Sequence, residues 1–456
     1  MYFSEILFLI SLILMINYSY FSLFLVLYGS RKNNRSIDKK RIKYPKVSII
    51  IPLRDEPSRL IDGLIDNIMS LKYRKDKIEI IVIDDSSDTW EKNKKLFESR
   101  LTQYTLKYIH RKENRGFKPG ALNDALKIAS GKILACIDVD SRLPKTALID
   151  AVSLLESDDT SYVQYITRPI IRNKISKGYS IYIEFRNSVF QPAFDNFERP
   201  LIIGYGFFIK KDVIEKLGGW KENALAEDLD LSMRLSKNGY KGRLIKDRYV
   251  LETAPSLYTS LKKQQERWIF GAFQTFIGVL KETKYFADKK IWLTYVVLTS
   301  MFLSLASNFI ISLVPIFSFL LNEKINMFYF VTLTTINNIA LGLVGIKVII
   351  SLLRYQSLKD IIVGFIIGGI LYNTLSLKTL ILFFKALFNK QMRWVVTIKA
   401  DSYKNMCEID YATIFAALLY GLAFFLSIFK AKIFTLWMLS LFASTIFSLF
   451  CEIKNR

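Results

Sequence analysis

The stretch KVSIIIPL, residues 46–53, is a continuous apolar run rich in β-branched residues. Such a run is the mark of a strand buried on both faces, as in parallel sheets covered by helices. Working outward, Leu60, Ile61, Leu64, Ile65, Ile68 and Leu71 recur at helical spacing. IEIIVIDDSS (78–87) predicts a second strand, 90–102 a helix and LKYIH (106–110) a third strand. KPGALNDALKIA (118–129) reads as a helix, and KILACIDVD (132–140) as a fourth strand. This alternation implies an α/β, Rossmann-like, mostly parallel sheet with right-handed crossovers.

Ligands bind such sheets at the carboxyl ends of the strands. Those ends carry Asp55 and Glu56, then Asp84 and Asp85, then Asp138 and Asp140. A single pair has an ordinary explanation, since Asp84 or Asp85 would serve to cap the next helix. Three clusters at one edge repel each other unless a cation or a donor such as Lys118 sits among them. Asp138 and Asp140, two apart on the expected strand, would share a face. A divalent cation would relieve their repulsion.

The second half of the domain is less regular. LIIGYGFFIKKDVIEKLGGW (201–220) offers a strand, a helix and a glycine stop. ALAEDLDLSMRLSKNG (224–239) is amphipathic, with Glu227 and Asp228 at its start, where the helix dipole favours the ionised carboxylate. LKKQQERWIFGAFQT (261–275) is a second amphipathic segment, and its Arg267 and Trp268 also suit a membrane interface.

Hydrophobic residues make up 51% of the 456-residue chain. They gather at 6–28 and in runs after residue 290, each about long enough to cross a ~30 Å hydrocarbon core. The first run lacks both a basic flank before it and a small-residue cleavage site behind it, so it reads as an uncleaved anchor. The basic segment RKNNRSIDKKRIK that follows places the next residues in the cytoplasm by the positive-inside rule. The expected organisation is a 1–30 anchor, a 44–285 cytoplasmic domain and 286–456 transmembrane helices with an interface segment near 386–405. Lys and Arg total 64 against 41 Asp and Glu, a formal charge of +23. In a multi-span cell-membrane protein, basic loops near anionic lipid explain this excess better than nucleic acid does. The three cysteines lack metal-ligand spacing, and the lone His110 reads as a structural residue.

Taken in order, these segments resemble the membrane-integrated branch of the inverting GT-A glycosyltransferases of family two, which includes cellulose, chitin and hyaluronan synthases and ceramide glucosyltransferase. IPLRDE (51–56) matches the opening strand motif, with Asp55 where Asn is usual. IDDSS matches the uridine-contacting turn, KPGALN the Lys-x-Gly-Ala-Leu-Asn segment and DVD the Asp-x-Asp metal motif. AED matches Thr-Glu-Asp with Ala226 for Thr, QQERW (264–268) the Gln-Gln/Arg-x-Arg-Trp motif, and WVVTIK (394–399) the interface-helix segment.

The resemblance implies transfer of a sugar from a nucleotide donor, UDP-linked in preference to GDP-linked, to a growing polysaccharide or a lipid, with inversion to a β-linkage. It places Pro52, Asp55, Glu56, Asp85, Lys118 and Asp138 at the nucleotide. Asp140, with Asp138, would hold Mg²⁺ or Mn²⁺ against the leaving diphosphate. Asp228 is the expected base, Glu227 orients nearby groups, Gln264 and Arg267 hold the diphosphate, and Trp268 offers a face to the acceptor. Single-sugar transfer to a lipid or polyprenyl phosphate is the nearest alternative. A transporter or basic binding protein on a degenerate nucleotide fold is the non-enzyme one.

The span count raises a conflict. Five spans at about 291–320, 326–353, 360–386, 411–428 and 432–450, started in the cytoplasm, put the basic stretch 385–410 outside. One run is therefore miscounted: 291–320, bent at Pro315, or 360–386, which carries Asn373 and Lys378 and would be re-entrant or partly interfacial.

Overall fold

The computed structural model describes residues 2–31, 44–156, 159–281, 289–323, 327–388 and 410–454. Two compact units result: 28–170 with 190–253, and 1–27 with 171–189 and 254–456.

The first unit is built on one sheet. Its strands are β1 (Val47–Leu53), β2 (Ile78–Asp84), β3 (Thr105–His110), β4 (Ile133–Cys136), β5 (Tyr162–Ile170), β6 (Phe207–Lys210) and β7 (Gly242–Thr253). They lie in the order β3-β2-β1-β4-β6-β5-β7. The apolar run at 46–53 is central: β1 pairs in parallel with β2 from Val47↔Ile78 and with β4 from Val47↔Ile133. β6 runs antiparallel to both neighbours, and β5 and β7 pair in parallel, so the sheet is mostly parallel but mixed.

The helices of this unit cover both faces, which is why β1 and β2 need no polar side. They are α2 (Ser58–Met69), α3 (Trp90–Arg100), α4 (Phe117–Ile128), α5 (Ala147–Leu155), α7 (Gln191–Asn196), α8 (Lys211–Lys216) and α9 (Glu227–Lys237), the numbers α1 and α6 belonging to helices of the other unit. Ile49 and Ile51 pack with Leu60, Leu64 and Phe97 on one face. Ile50, pointing the other way, packs with Leu122, Ile214 and Leu231. Alternation along a strand thus feeds two cores rather than a core and a solvent face.

The second unit is helical: α1 (Phe3–Gly29), of which residues 3–27 belong here, α6 (Lys174–Phe185), α10 (Tyr258–Leu280), α11 (Lys289–Leu320), α12 (Met327–Leu352), α13 (Leu358–Leu387), α14 (Tyr411–Lys430) and α15 (Thr435–Lys454). Among the described residues, six helices are long and apolar enough to cross a membrane: α1, α12, α13, α14, α15 and the Phe302–Leu320 part of α11. Phe8, Val314, Tyr420, Phe434 and Leu441 make their shared core. Residues 32–43 and the WVVTIK segment at 394–399 lie outside the described residues.

One local expectation changes. β4 stops at Cys136, so Asp138 and Asp140 sit in the turn beyond it and not on the strand. Its antiparallel partner β6 begins opposite that point, since the register closes at Cys136↔Phe207. Past that point the backbone is free to turn, and strand alternation no longer fixes the two carboxylates.

Candidate active site

Lys118 stands at the centre of the site. It lies in the first turn of α4, whose Gly120 is obligatory because a Cβ there would meet the Arg115 carbonyl oxygen at 2.0 Å. The Lys118 Nζ donates to Asp138 Oδ1 at 2.8 Å and to the Gly204 carbonyl at 3.0 Å. It also lies 3.6 Å from Glu227 Oε1. Burial opposes its charge, but the surrounding carboxylates Asp138, Glu227 and Asp228 outweigh that and hold its pKa above the usual lysine value.

Glu227 and Asp228 open α9, as the sequence suggested. For Asp228 the helix-start effect is outweighed. Burial, followed by the neighbouring Glu227 charge, pushes its carboxyl up to about 7, against the Leu229 N–H that donates to Oδ1 at 2.8 Å. Half a unit charge at a helix start is worth at most ~2 kcal/mol. That is too little to keep a recessed carboxylate beside another carboxylate fully ionised. A group poised near neutrality is what general-base catalysis asks for.

Gly204 forms the floor between these groups and was not singled out from sequence. Its φ is +85°, and a Cβ would lie 3.3 Å from Asp228 Oδ2, 3.5 Å from Lys118 Nζ and 3.7 Å from Glu227 Oε1. Glycine here leaves a concavity faced by one cation and two carboxylates. The signal available in the sequence was the GYG pair in an otherwise apolar run, which local pattern alone does not interpret.

Asp140 is buried, and its Oδ2 accepts the Thr253 N–H at the end of β7 at 3.3 Å. Asp138 keeps a quarter of its side-chain surface exposed. Among the described residues no three metal-ligating side chains converge. Two carboxylates still fit a hard divalent ion, which takes one or two carboxylates and completes its shell with phosphate oxygens and water.

The nucleotide candidates fall at adjoining strand ends. Pro52 is in β1, and Asp55 and Glu56 follow it. Asp55 has φ +51°, a left-handed conformation that Asp and Asn tolerate better than most residues. Its N–H donates to Ser86 Oγ at 2.8 Å, and its Oδ1 accepts from the Ser87 N–H at 3.1 Å, tying the two strand ends together. Asp84 turns inward, accepting from the Ser86 N–H at 2.7 Å, from Asn93 and from the Tyr108 hydroxyl. Its role is to shape the turn. Asp85 is clamped by Arg111, with Nε to Oδ1 at 2.6 Å and a second bond to Oδ2. Burial nonetheless pushes the Asp85 carboxyl up. Arg111 is a further residue the sequence reading passed over, since it sits in a polar loop with no periodicity. His110 stacks on Trp90 at 4.5 Å, with its Nδ1 3.2 Å from the Asp84 carbonyl.

Gln264, Arg267 and Trp268 lie on α10, in the helical unit. Gln264 is buried, and the Trp268 ring packs against Tyr182 of α6 with centroids 5.8 Å apart.

The family described as Glycosyl transferase family group 2 matches residues 133–344, a stretch that contains Asp138, Asp140, Glu227, Asp228 and QQERW. A probable glycosyltransferase of Sulfolobus acidocaldarius is 27% identical over 87% of this chain and 87% of its own length. A beta-monoglucosyldiacylglycerol synthase of Synechocystis is 26% identical over 53% of the chain. A probable glucomannan 4-beta-mannosyltransferase of rice is 28% identical over 58% of it. The match covers 50% and 47% of the lengths of those two proteins. Among solved structures, the mannosyltransferase PcManGT of Pyrobaculum calidifontis, in complex with GDP-Man and Mn²⁺, aligns with a TM-score of 0.56. It is 20% identical and covers 84% of this chain and all of its own, a likeness of fold.

Proposed function

Because the chain carries a glycosyl transferase family 2 domain on a GT-A fold, we propose that it moves one sugar from a nucleotide donor to a membrane lipid, with inversion. The observation that carries the reading is the cluster of Lys118, Asp138, Glu227 and Asp228 around Gly204. It brings a cation, a poised carboxyl and open space into one place. The synthase of Synechocystis, by its name, makes a glycolipid, and that supports a lipid acceptor here.

In this reading Asp85 and Asp55 contact the nucleotide, and Lys118 offsets diphosphate charge. Asp140 and Asp138 would hold Mg²⁺ or Mn²⁺. The neighbour's Mn²⁺ and GDP-Man support such a donor and ion. A bound divalent ion would stabilise the charge that develops on the leaving diphosphate. Asp228 takes the proton of the acceptor hydroxyl on the face opposite the leaving group, and Glu227 keeps its carboxyl near neutrality.

The test is turnover in lipid vesicles with a panel of UDP- and GDP-sugars, Mg²⁺ or Mn²⁺, and diacylglycerol or polyprenyl phosphate. Nucleoside diphosphate release should require the metal, and product mass should equal one lipid plus one sugar. Asp140→Asn should lose metal-dependent nucleotide binding. An extended glycan would move the reading to a polysaccharide synthase. No release from any donor would leave the non-enzyme reading standing.

Contacts within the helical unit bear on orientation. Lys262 of α10 bonds Asp410, at the start of α14, at 3.1 Å. A contact of that length does not reach across a ~30 Å core, so the start of α14 lies on the α10 side of the membrane. α13 meets α6 through Lys177–Asp360 and α10 through Tyr258–Thr374 and Phe273–Phe383. Both of its ends thus adjoin α6 and α10, which themselves touch through Tyr182 and Trp268. We read α13 as lying along the interface, which leaves five crossings among the described residues. In a background lacking Cys136, Cys407 and Cys451, Tyr411→Cys and Lys263→Cys should react with an impermeant maleimide from the same side. Labelling from opposite sides would restore α13 as a crossing helix.

A further inference from the structure

Within the helical unit, α1, α6, α10, α11, α12 and α13 line a partly open cavity of about 380 Å³. That lies in the ~300–1,000 Å³ range of ligand sites. Its walls are mainly aromatic and aliphatic, with Tyr182, Ile269, Phe302 and Leu371 from four of these helices. Two of the polar groups at its edge are engaged elsewhere: Ser19 Oγ lies 2.7 Å from Asn337 Oδ1, and the Tyr372 hydroxyl donates to the Ser304 carbonyl at 2.9 Å.

Gln265 differs. It lines the cavity, is 3% exposed, and its Nε2 finds no hydrogen-bond partner among the described residues. A buried amide left without a partner forfeits the hydrogen bond it had in water, so a ligand acceptor atom would be favoured there. One end of the cavity is placed by Tyr182, whose ring also packs on Trp268. A path for a hydrated glycan needs polar groups along its length. The surface this cavity presents is mainly apolar, the hydroxyls of four tyrosines and two serines and the Gln265 amide aside.

We propose that the cavity holds a hydrocarbon chain of the lipid acceptor, with Gln265 Nε2 donating to the ester, ether or phosphate oxygen where the chain joins its headgroup. The inference rests on the lipid-acceptor reading above and deepens it by placing the chain. Gly369, on the same wall, has no atom within 4 Å of an added Cβ, so a large side chain can be introduced there without a backbone clash.

The experiment uses the full-length protein in phosphatidylcholine vesicles with three chain-diazirine probes: diacylglycerol, polyprenyl phosphate and phosphatidylcholine. The probe whose parent lipid is glycosylated should label cavity residues about tenfold more than the phosphatidylcholine probe. Gln265→Leu should raise KM for that lipid roughly three- to tenfold, the equivalent of one hydrogen bond, with KM for the nucleotide sugar unchanged. Gly369→Trp, an independent variant, should cut the labelling. Equal labelling by phosphatidylcholine would mean that bulk lipid fills the space and would overturn the inference. So would an unchanged lipid KM in Gln265→Leu with undiminished labelling in Gly369→Trp. If a lipid is glycosylated yet labels no cavity residue, only this inference falls. If no lipid is glycosylated, the acceptor reading fails first and takes the inference with it.

Discussion

Asp228→Asn is expected to lower kcat by roughly 10²–10⁴-fold, the usual worth of a positioned general base. Asparagine keeps the shape and the hydrogen bond from the Leu229 N–H but accepts no proton. Nucleotide-sugar KM should stay within about twofold, because a group that acts in the transition state contributes little to ground-state binding. The wild-type pH profile carries the same assignment. With its carboxyl pushed up to about 7, Asp228 is protonated and idle below that pH and ionised above it. Activity should therefore climb through pH 7 and level off on the alkaline side. Glu227 is the second cause of the shift, so Glu227→Gln should move the rise toward lower pH. A profile that is flat from pH 5 to 9, or an Asp228→Asn variant with near-normal kcat, would remove Asp228 from the base role.

Lys262→Met is expected to destabilise the helical unit by about 3–5 kcal/mol, the cost of stranding buried charge. Lys262 is 4% exposed and bonds Glu452 at 2.8 Å, Thr413 at 2.6 Å and Asp410 at 3.1 Å. Lys378 bonds Asp410 at 2.9 Å and lies 3.9 Å from Glu266. Two lysines thus stand against three carboxylates. Burial opposes the Lys262 charge, but Glu266, Asp410 and Glu452 hold its pKa above the usual lysine value. Burial pushes the Glu266 carboxyl up, while Lys262 and Lys378 hold Asp410 well below the carboxylate range against its own burial. Removing Lys262 leaves the Glu452 charge without its lysine and Asp410 with Lys378 alone. Thermal unfolding in detergent should show the loss. Adding Glu452→Gln should recover part of it, because one stranded charge disappears. An unchanged midpoint in Lys262→Met would mean that the cluster is hydrated and does not fasten α10 to its neighbours.

Sequence alone determined the parallel half of the sheet, because β1, β2 and β4 are short apolar runs whose burial on both faces dictates their residues. It also located the acidic strand ends, the QQERW helix and the apolar helices, since all of these are written in contiguous stretches. It did not reveal that Asp84 shapes a turn while Asp85 faces Arg111, because two adjacent aspartates look alike until the fold points them apart. Nor did it show Gly204 beneath Lys118 and Asp228, or β6 running against its neighbours. The charge cluster joins residues 262, 378, 410 and 452, and α13 has partners as far apart as Lys177 and Phe273. An apolar helix has the same composition whether it crosses a membrane or lies along its interface. Only tertiary packing decides which, because the choice depends on where distant polar partners meet its ends.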